Sequence, residues 1–597
     1  MENKYDDISN IPSKYRWDLD SIYASMDAYY EDMEECRRVV EELKKFKGKV
    51  LSNASNLQNV LDLELKLDLL LDKMSNYISL NNSLDTRVGL YDSKLNELMD
   101  FYSKLELETN FISEELKKLD IDLLNRYLKE NENLHIYEFN LKKVIRVNEH
   151  ILSLEAENIL SALSPVLNAG EDIFSKLDDA DSDYGEVEDK DGRRHKLTGG
   201  TFSTYISSSD RILRKNADEA MHEYYKKHAN TFASCLLTHV KTNVIESHLR
   251  NYNSALERFL SSDNIDVSFY HNFIKEVNAN LKTLHRMMKI YKEKFALDEM
   301  HTYDMRIKYA DGVKQNYTIE EMQDILLKAL SPLGQEYMDG VREAFSNNWV
   351  DYYETKGKRS GAFSTTTVTT KPYLLLNYTG SFDDLETLAH ELGHSMHTFF
   401  ANKYCDKVNA SYPIFLAEIA STTNELLLNN YLLNHTDDVN LKKYVLNNLI
   451  SMYKSTIFRQ TEFAEFESII YEKIENGDNM STDDFTKIYY DLQKKYYGSG
   501  VIQDDYIKYE CFRIPHFYYN FYVYKYATSL AISYRFAYGI LNNEEGMLEN
   551  YLKFLKSGGR AYSLEILKSC GIDVQKGNIL VYSIKMIEKY MDEFEKM

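Results

Sequence analysis

Leu388-Ala389-His390-Glu391-Leu392-Gly393-His394-Ser395-Met396-His397 places two histidines four positions apart inside an amphipathic stretch. On an α-helix that spacing stacks both imidazoles on one face, within reach of a single Zn²⁺. Glu391 falls beside the same face, where its carboxylate can take a proton from a water activated by the ion. The flanking sequence supports a helix here. Ser381-Phe382-Asp383-Asp384 reads as its start, with acidic residues suited to the N-terminal end of the macrodipole. Upstream, Pro372-Tyr373-Leu374-Leu375-Leu376-Asn377-Tyr378 reads as a buried strand closed by Thr379-Gly380.

A catalytic zinc needs three protein ligands and one open position. A third histidine six residues beyond His394 is ruled out, because position 400 is Phe400 and the glycine required at 397 is His397. The better candidate is Glu418, in Phe415-Leu416-Ala417-Glu418-Ile419-Ala420-Ser421, 24 residues after His394. That distance suits a helix, a turn around Tyr412-Pro413 and a second helix folding back. Glu418 lies among apolar residues, where an unpaired carboxylate is costly and a cation removes the cost. Glu425, two turns further along the same face, is placed to accept the free N–H of a ligand histidine. His397 shares the histidine face, but three ligands spread over two turns fit a tetrahedral ion poorly, so packing or support of a ligand is expected of it.

The 597 residues carry 71 Lys and Arg against 94 Asp and Glu, a net charge of −23. Such a surface repels phosphate backbones and argues against nucleic acid as a partner. Mean hydropathy is −0.48, and no long uncharged apolar run or secretory h-region is present, so a soluble cytoplasmic protein without a membrane span is expected. Cys36, Cys235, Cys405, Cys511 and Cys570 are scattered and never form Cys-x-x-Cys, as reduced thiols would be. Only 6 Pro and 23 Gly interrupt a chain that is 44% hydrophobic, which predicts a mainly α fold with a sizeable core.

Working outward, Tyr29, Tyr30, Met33, Cys36, Val39, Val40 and Leu43 recur at helical spacing, with Gly48 beyond the end. Helices continue to about Asn168, and Asp191-Gly192 within a polar stretch predicts a hairpin. We divide the chain there into a helical N-terminal lobe, 1–200, and a catalytic region, 201–597. Ile212, Leu213, Ala217 and Ala220 begin the next apolar helical face. Met305 to Tyr309 alternates like a strand ending at Asp311-Gly312, and Thr318-Ile319-Glu320-Glu321 has the form of a capping box. Gly361 to Thr370, rich in β-branched residues, predicts an edge strand beside Tyr373 to Tyr378, so a small β-sheet should flank the metal helix. Such an edge can bind an extended peptide by strand addition.

Taken together, these residues resemble the thimet oligopeptidase family of zinc metallopeptidases, in particular its oligoendopeptidase F branch. The likeness is carried by Ser360-Gly361-Ala362-Phe363, Pro372 to Asn377, Leu388 to His397, Leu416 to Thr422, Phe458-Arg459-Gln460-Thr461-Glu462-Phe463 and Ile514 to Tyr524, and it spans nearly the whole chain. The resemblance implies a large helical ellipsoid with a deep substrate channel and one zinc ion on its floor. It further implies cleavage of internal bonds in short, unfolded peptides, with His390, His394 and Glu418 on the metal and Glu391 as general base. A dipeptidyl carboxypeptidase is the alternative within the family, and a non-catalytic helical peptide-binding scaffold the alternative outside it. Ile514-Pro515 reads as a helix entry, and at about 100° per residue Tyr519, Tyr522 and Tyr526 then share a narrow arc with His516 nearby. The family places a histidine and tyrosines here, which implies oxyanion donors. Tyr522 is the first choice and Tyr519 the second. Oligomeric state is not legible.

Overall fold

The computed structural model describes Tyr5, residues 8–309 and residues 316–597. It is mainly helical, with a two-stranded and a three-stranded sheet among the described residues. The chain divides into two units interleaved along the sequence. The first comprises Met1–Glu149, Lys314–Tyr431 and Gly539–Ile572; the second comprises His150–Val313, Leu432–Tyr538 and Asp573–Met597.

In the first unit, the helix Met26–Lys44 buries Tyr29, Met33, Cys36, Val39, Val40 and Leu43, the face expected from its spacing. Ser25 caps it by accepting the Ala28 N–H. This face joins the helices Ala54–Leu84 and Gly89–Thr109 in an apolar core that extends to Tyr373 and Leu375. Those two residues belong to the central strand Tyr373–Tyr378, parallel to Val350–Tyr353 on one side and antiparallel to Phe363–Thr365 on the other. Trp17 clamps the sheet, its indole N–H shared between the Trp349 and Leu374 carbonyls, both at 3.0 Å. The edge strand is shorter than Gly361 to Thr370. After Thr365 the threonines bond to one another, with the Thr367 N–H on Thr370 Oγ1 at 3.1 Å, and turn the chain instead of extending it.

In the second unit, Glu186–Glu188 and Arg194–Lys196 form the expected hairpin, with Gly192 at φ 77°. The helix Arg211–Lys227 begins after Asp210, but Ile212 on it is 51% exposed. Its buried face carries polar groups as well as Leu213 and Ala217. Arg214 is buried and donates to Asp304 Oδ1 at 2.7 Å, and Asp218 and His222 are buried beside it. The same contacts explain why Met305 to Tyr309 is not a strand. Arg211 and Arg214 hold the Asp304 carboxylate just before the stretch, and the Lys454 ammonium takes the Met305 carbonyl, so the first backbone acceptor that a ladder would need is occupied. Asp311-Gly312 lies outside the described residues. Thr318 and Glu321 form the expected capping box at the head of Ile319–Ala329.

Candidate metal centre

The histidines lie on the helix Phe382–Tyr404 in the first unit. Ser381 Oγ accepts the Asp384 N–H at 3.2 Å, and Asp384 Oδ2 accepts the Ser381 N–H at 2.9 Å, closing a capping box. One face buries Leu385, Leu388, Leu392, Met396 and Phe400, leaving His390 and His394 on a flank with 29% and 20% of their side chains exposed.

Glu418 arrives on the helix Ile414–His435, which opens directly after Pro413; the chain turns earlier than expected, at Lys407-Val408, where the Asn409 N–H donates to the Asp406 carbonyl. The approach of the two helices depends on Gly393. A Cβ there would lie 2.5 Å from Ser421 Cα and 2.7 Å from the Ala420 carbonyl, so any other residue forces the helices apart. Asn424, fully buried, fixes the register by donating to the Ala389 carbonyl at 3.2 Å and accepting from the Tyr337 hydroxyl at 2.9 Å. Neither residue was singled out from the sequence. A glycine inside a strong helical pattern is the signal that could have revealed the close approach.

Three ligand atoms converge across this contact. His390 Nε2 and His394 Nε2 are 3.1 Å apart, and Glu418 Oε2 is 3.6 and 3.8 Å from them. Donor atoms about 2.0–2.1 Å from one tetrahedral zinc ion are about 3.3 Å apart, so the triangle has the right size. Its chemistry fits as well. His390 Nδ1 bonds to Glu425, which leaves the Nε2 lone pair aimed at the Nε2 of His394. Two ring nitrogens and a carboxylate oxygen facing each other need a cation between them: without a metal a proton shared by the two imidazoles fills that place, and a bound metal would displace it. Among the described residues this is the group of His, Cys, Asp or Glu side chains that could hold a metal ion.

Burial pulls the His390 imidazole down, but the hydrogen bond and charge of Glu425, with Glu418, outweigh it and hold it at about 9. Burial and the neighbouring His390 lower His394 to about 4, with the Ala417 backbone opposing. Glu391 is 8% exposed, and burial raises its carboxyl above the usual range against the opposing charge of His390. The Ser364 backbone on the edge strand bonds to it, tying the sheet to the candidate base. His397 points elsewhere. It is fully buried, stacks on Tyr412 at 3.7 Å and lies 4.8 Å from the Phe554 ring, with no hydrogen-bond partner for either nitrogen.

The other candidate residues belong to the second unit, and there the expected helix is absent. Pro515–Tyr518 is a single 3-10 turn, Asn520 and Phe521 have φ of 51° and 56°, and the α-helix starts only at Tyr524. The rings gather nonetheless. His516 lies 5.5 Å from Tyr519 and 6.0 Å from Tyr526, and Tyr522 lies 6.5 and 5.2 Å from the same two. Burial lowers the His516 pKa, favouring a neutral ring.

A helix-borne His-Glu-x-x-His with a glutamate from a second helix is the site of a zinc metallopeptidase. Residues 204–584 match peptidase family M3, and residues 115–184 match Oligopeptidase F. The chain is 35% identical to Oligopeptidase PepF of Bacillus subtilis, covering all of this chain and 89% of that protein. It is 34% identical to an Oligoendopeptidase F homolog of Borreliella burgdorferi, with 98% of each chain covered. The crystal structure of oligoendopeptidase-F from Enterococcus faecium superposes with a TM-score of 0.72 at 31% identity, over 96% of this chain and 98% of that one. The chain belongs to peptidase family M3, in its oligopeptidase F branch, and is a zinc-dependent metallopeptidase.

Proposed function

We propose that His390, His394 and Glu418 hold one zinc ion and that Glu391 is the general base in hydrolysis of internal bonds of short, unfolded peptides. The observation that carries this is the convergence of the three ligand atoms beside a buried carboxyl of raised proton affinity. Bound there, zinc supplies Lewis acidity, polarising a peptide carbonyl and bringing the pKa of water toward about 7. Glu391 takes the proton from the attacking water. It then delivers that proton to the departing amine, so no covalent intermediate with the chain is needed.

The edge strand Phe363–Thr365, with one neighbour in its sheet, holds an extended peptide by strand addition beside Glu391. His516 and Tyr522, with Tyr519 as the alternative, donate to the developing oxyanion. The relatives' names, oligopeptidase and oligoendopeptidase, support a channel that admits only short substrates. The family matches at 115–184 and 204–584 support a division near residue 200 into an N-terminal lobe and a catalytic region. Five free cysteines support a reducing, cytoplasmic setting. Among the described residues no helix is long and apolar enough to cross a membrane.

Glu391→Gln tests the assignment. The variant should bind zinc like the parent while cleavage of a peptide blocked at both ends falls about a thousandfold. Near-parental cleavage would remove Glu391 from the base role. An intact blocked peptide with the parent enzyme would exclude endopeptidase action.

A further inference from the structure

We infer that Asn520 is a positioning residue for the oxyanion donors: its carboxamide pins a two-residue left-handed turn that sets the placement of His516 and Tyr522. The inference rests on the catalytic reading of those two side chains given above.

The backbone supplies the first observation. Asn520 and Phe521 are consecutive non-glycine residues at φ 51° and 56°. Asparagine reaches this region at modest cost, but a bulky phenylalanine there is an outlier that the surroundings must enforce. Elsewhere in the same unit, positive φ falls at glycines such as Gly192 and Gly498 and at other asparagines such as Asn251 and Asn264, so asparagine at 520 is an ordinary choice. What sets this turn apart is the phenylalanine that follows and the engagement of the Asn520 amide.

Three donors converge on Asn520 Oδ1. They are the Asn243 amide at 2.8 Å, the Tyr471 hydroxyl at 2.8 Å and His239 Nε2 at 2.9 Å. Phe521 is anchored in parallel. Its N–H donates to Glu467 Oε1 at 2.6 Å, and its ring, 2% exposed, packs 4.6 Å from Tyr471 and 5.9 Å from Tyr270. Burial keeps His239 neutral and lifts the Glu467 carboxyl to about 8, so the clamp brings little net charge to the turn. The anchoring groups sit on two long helices, Ala229–Leu249 and Gln460–Glu475. A regular scaffold therefore imposes the irregular turn, as expected where strain is retained to aim a functional group. Tyr522 is the next residue, and the reversal brings its ring 5.2 Å from Tyr526, itself 6.0 Å from His516.

The test uses the full-length zinc-loaded enzyme with a doubly blocked internally quenched peptide. Asn520→Ala should lower kcat about 10- to 100-fold with KM within about threefold and metal content unchanged. Asn520→Asp keeps the acceptor and should restore kcat to within about threefold of the parent. Tyr522→Phe should lose a comparable factor, and the double variant should lose no more than about threefold beyond it. Parental kcat in Asn520→Ala beside an impaired Tyr522→Phe would overturn the positioning role, as would fully multiplicative losses. Parental kcat in both Tyr522→Phe and His516→Ala would instead remove the catalytic reading, and the inference with it. Should Asn520→Ala not fold, Tyr471→Phe removes one donor at nearly constant shape; it should cost kcat about three- to tenfold, and an unchanged kcat would count against the inference.

Discussion

The two regions assigned to catalysis are built on opposite principles. In the first unit, regular helices carry the three residues proposed to hold the metal, and their spacing is set by backbone contact at Gly393 and by the Asn424 clamp. In the second unit, the His516 to Tyr526 rings hang on a single 3-10 turn and two left-handed residues held by side chains from other helices. The contrast fits the tasks given to each region. A metal needs three ligand atoms fixed to a few tenths of an ångström, which rigid helices provide. Donors to a charge that develops only in the transition state need a particular direction, and an irregular turn can supply one that no helix repeat offers.

Chelation is the broadest perturbation of this comparison. Stripping the metal should abolish peptide cleavage, and added zinc should restore it, as followed with the blocked peptide. Tyr522→Phe should lower kcat by about 10- to 100-fold with little change in KM and none in metal content. If metal content falls instead, the second region is not separable from the first. Gly393→Ala attacks the helix contact. The new Cβ must displace Ser421 and move Glu418 from the histidines, so zinc affinity by competition titration should weaken about 10- to 100-fold. Parental affinity would mean that the close approach does not set the ligand triangle. Glu425→Gln should produce a loss at the lower end of that range, since it leaves the triangle intact and withdraws only the charge that orients His390.

The smallest effect is expected at His397. Burial depresses its pKa to about 3, so the folded chain holds it neutral while the unfolded chain takes up a proton below about 6.5. Its contribution to stability is therefore lost as pH falls through that window. His397→Phe should keep zinc, match or slightly exceed parental stability at neutral pH, and lose less stability in denaturant melts between pH 6 and pH 4. Loss of zinc in this variant would make His397 part of the metal site.

The same contrast explains what the sequence disclosed. Periodicity reports regular structure, so the histidine helix, its cap at Ser381, the strand Tyr373–Tyr378 and the return of Glu418 after Tyr412-Pro413 were all legible. Glu425 was legible for the same reason, since helical spacing places it one turn pair from Glu418. Beyond the ends of regular elements the reading weakened. Met305 to Tyr309 has strand alternation, but Asp304 and the Met305 carbonyl are claimed by Arg211, Arg214 and Lys454, contacts that span up to 149 residues. Around Asn520 and Phe521 the helical wheel gathered rings that the structure also brings together, but through a turn and not a helix, because nothing local announces a left-handed phenylalanine. Asn424 escaped notice because its partners, Tyr337 and Ala389, lie in other helices.

An anomalous difference map at the zinc edge from crystals of the metal-loaded protein bears most directly on the whole account. One peak about 2.0–2.2 Å from His390 Nε2, His394 Nε2 and Glu418 Oε2, with Glu425 on the far side of the His390 ring, is the predicted result. A peak that excludes Glu418, or that recruits His397, would contradict it.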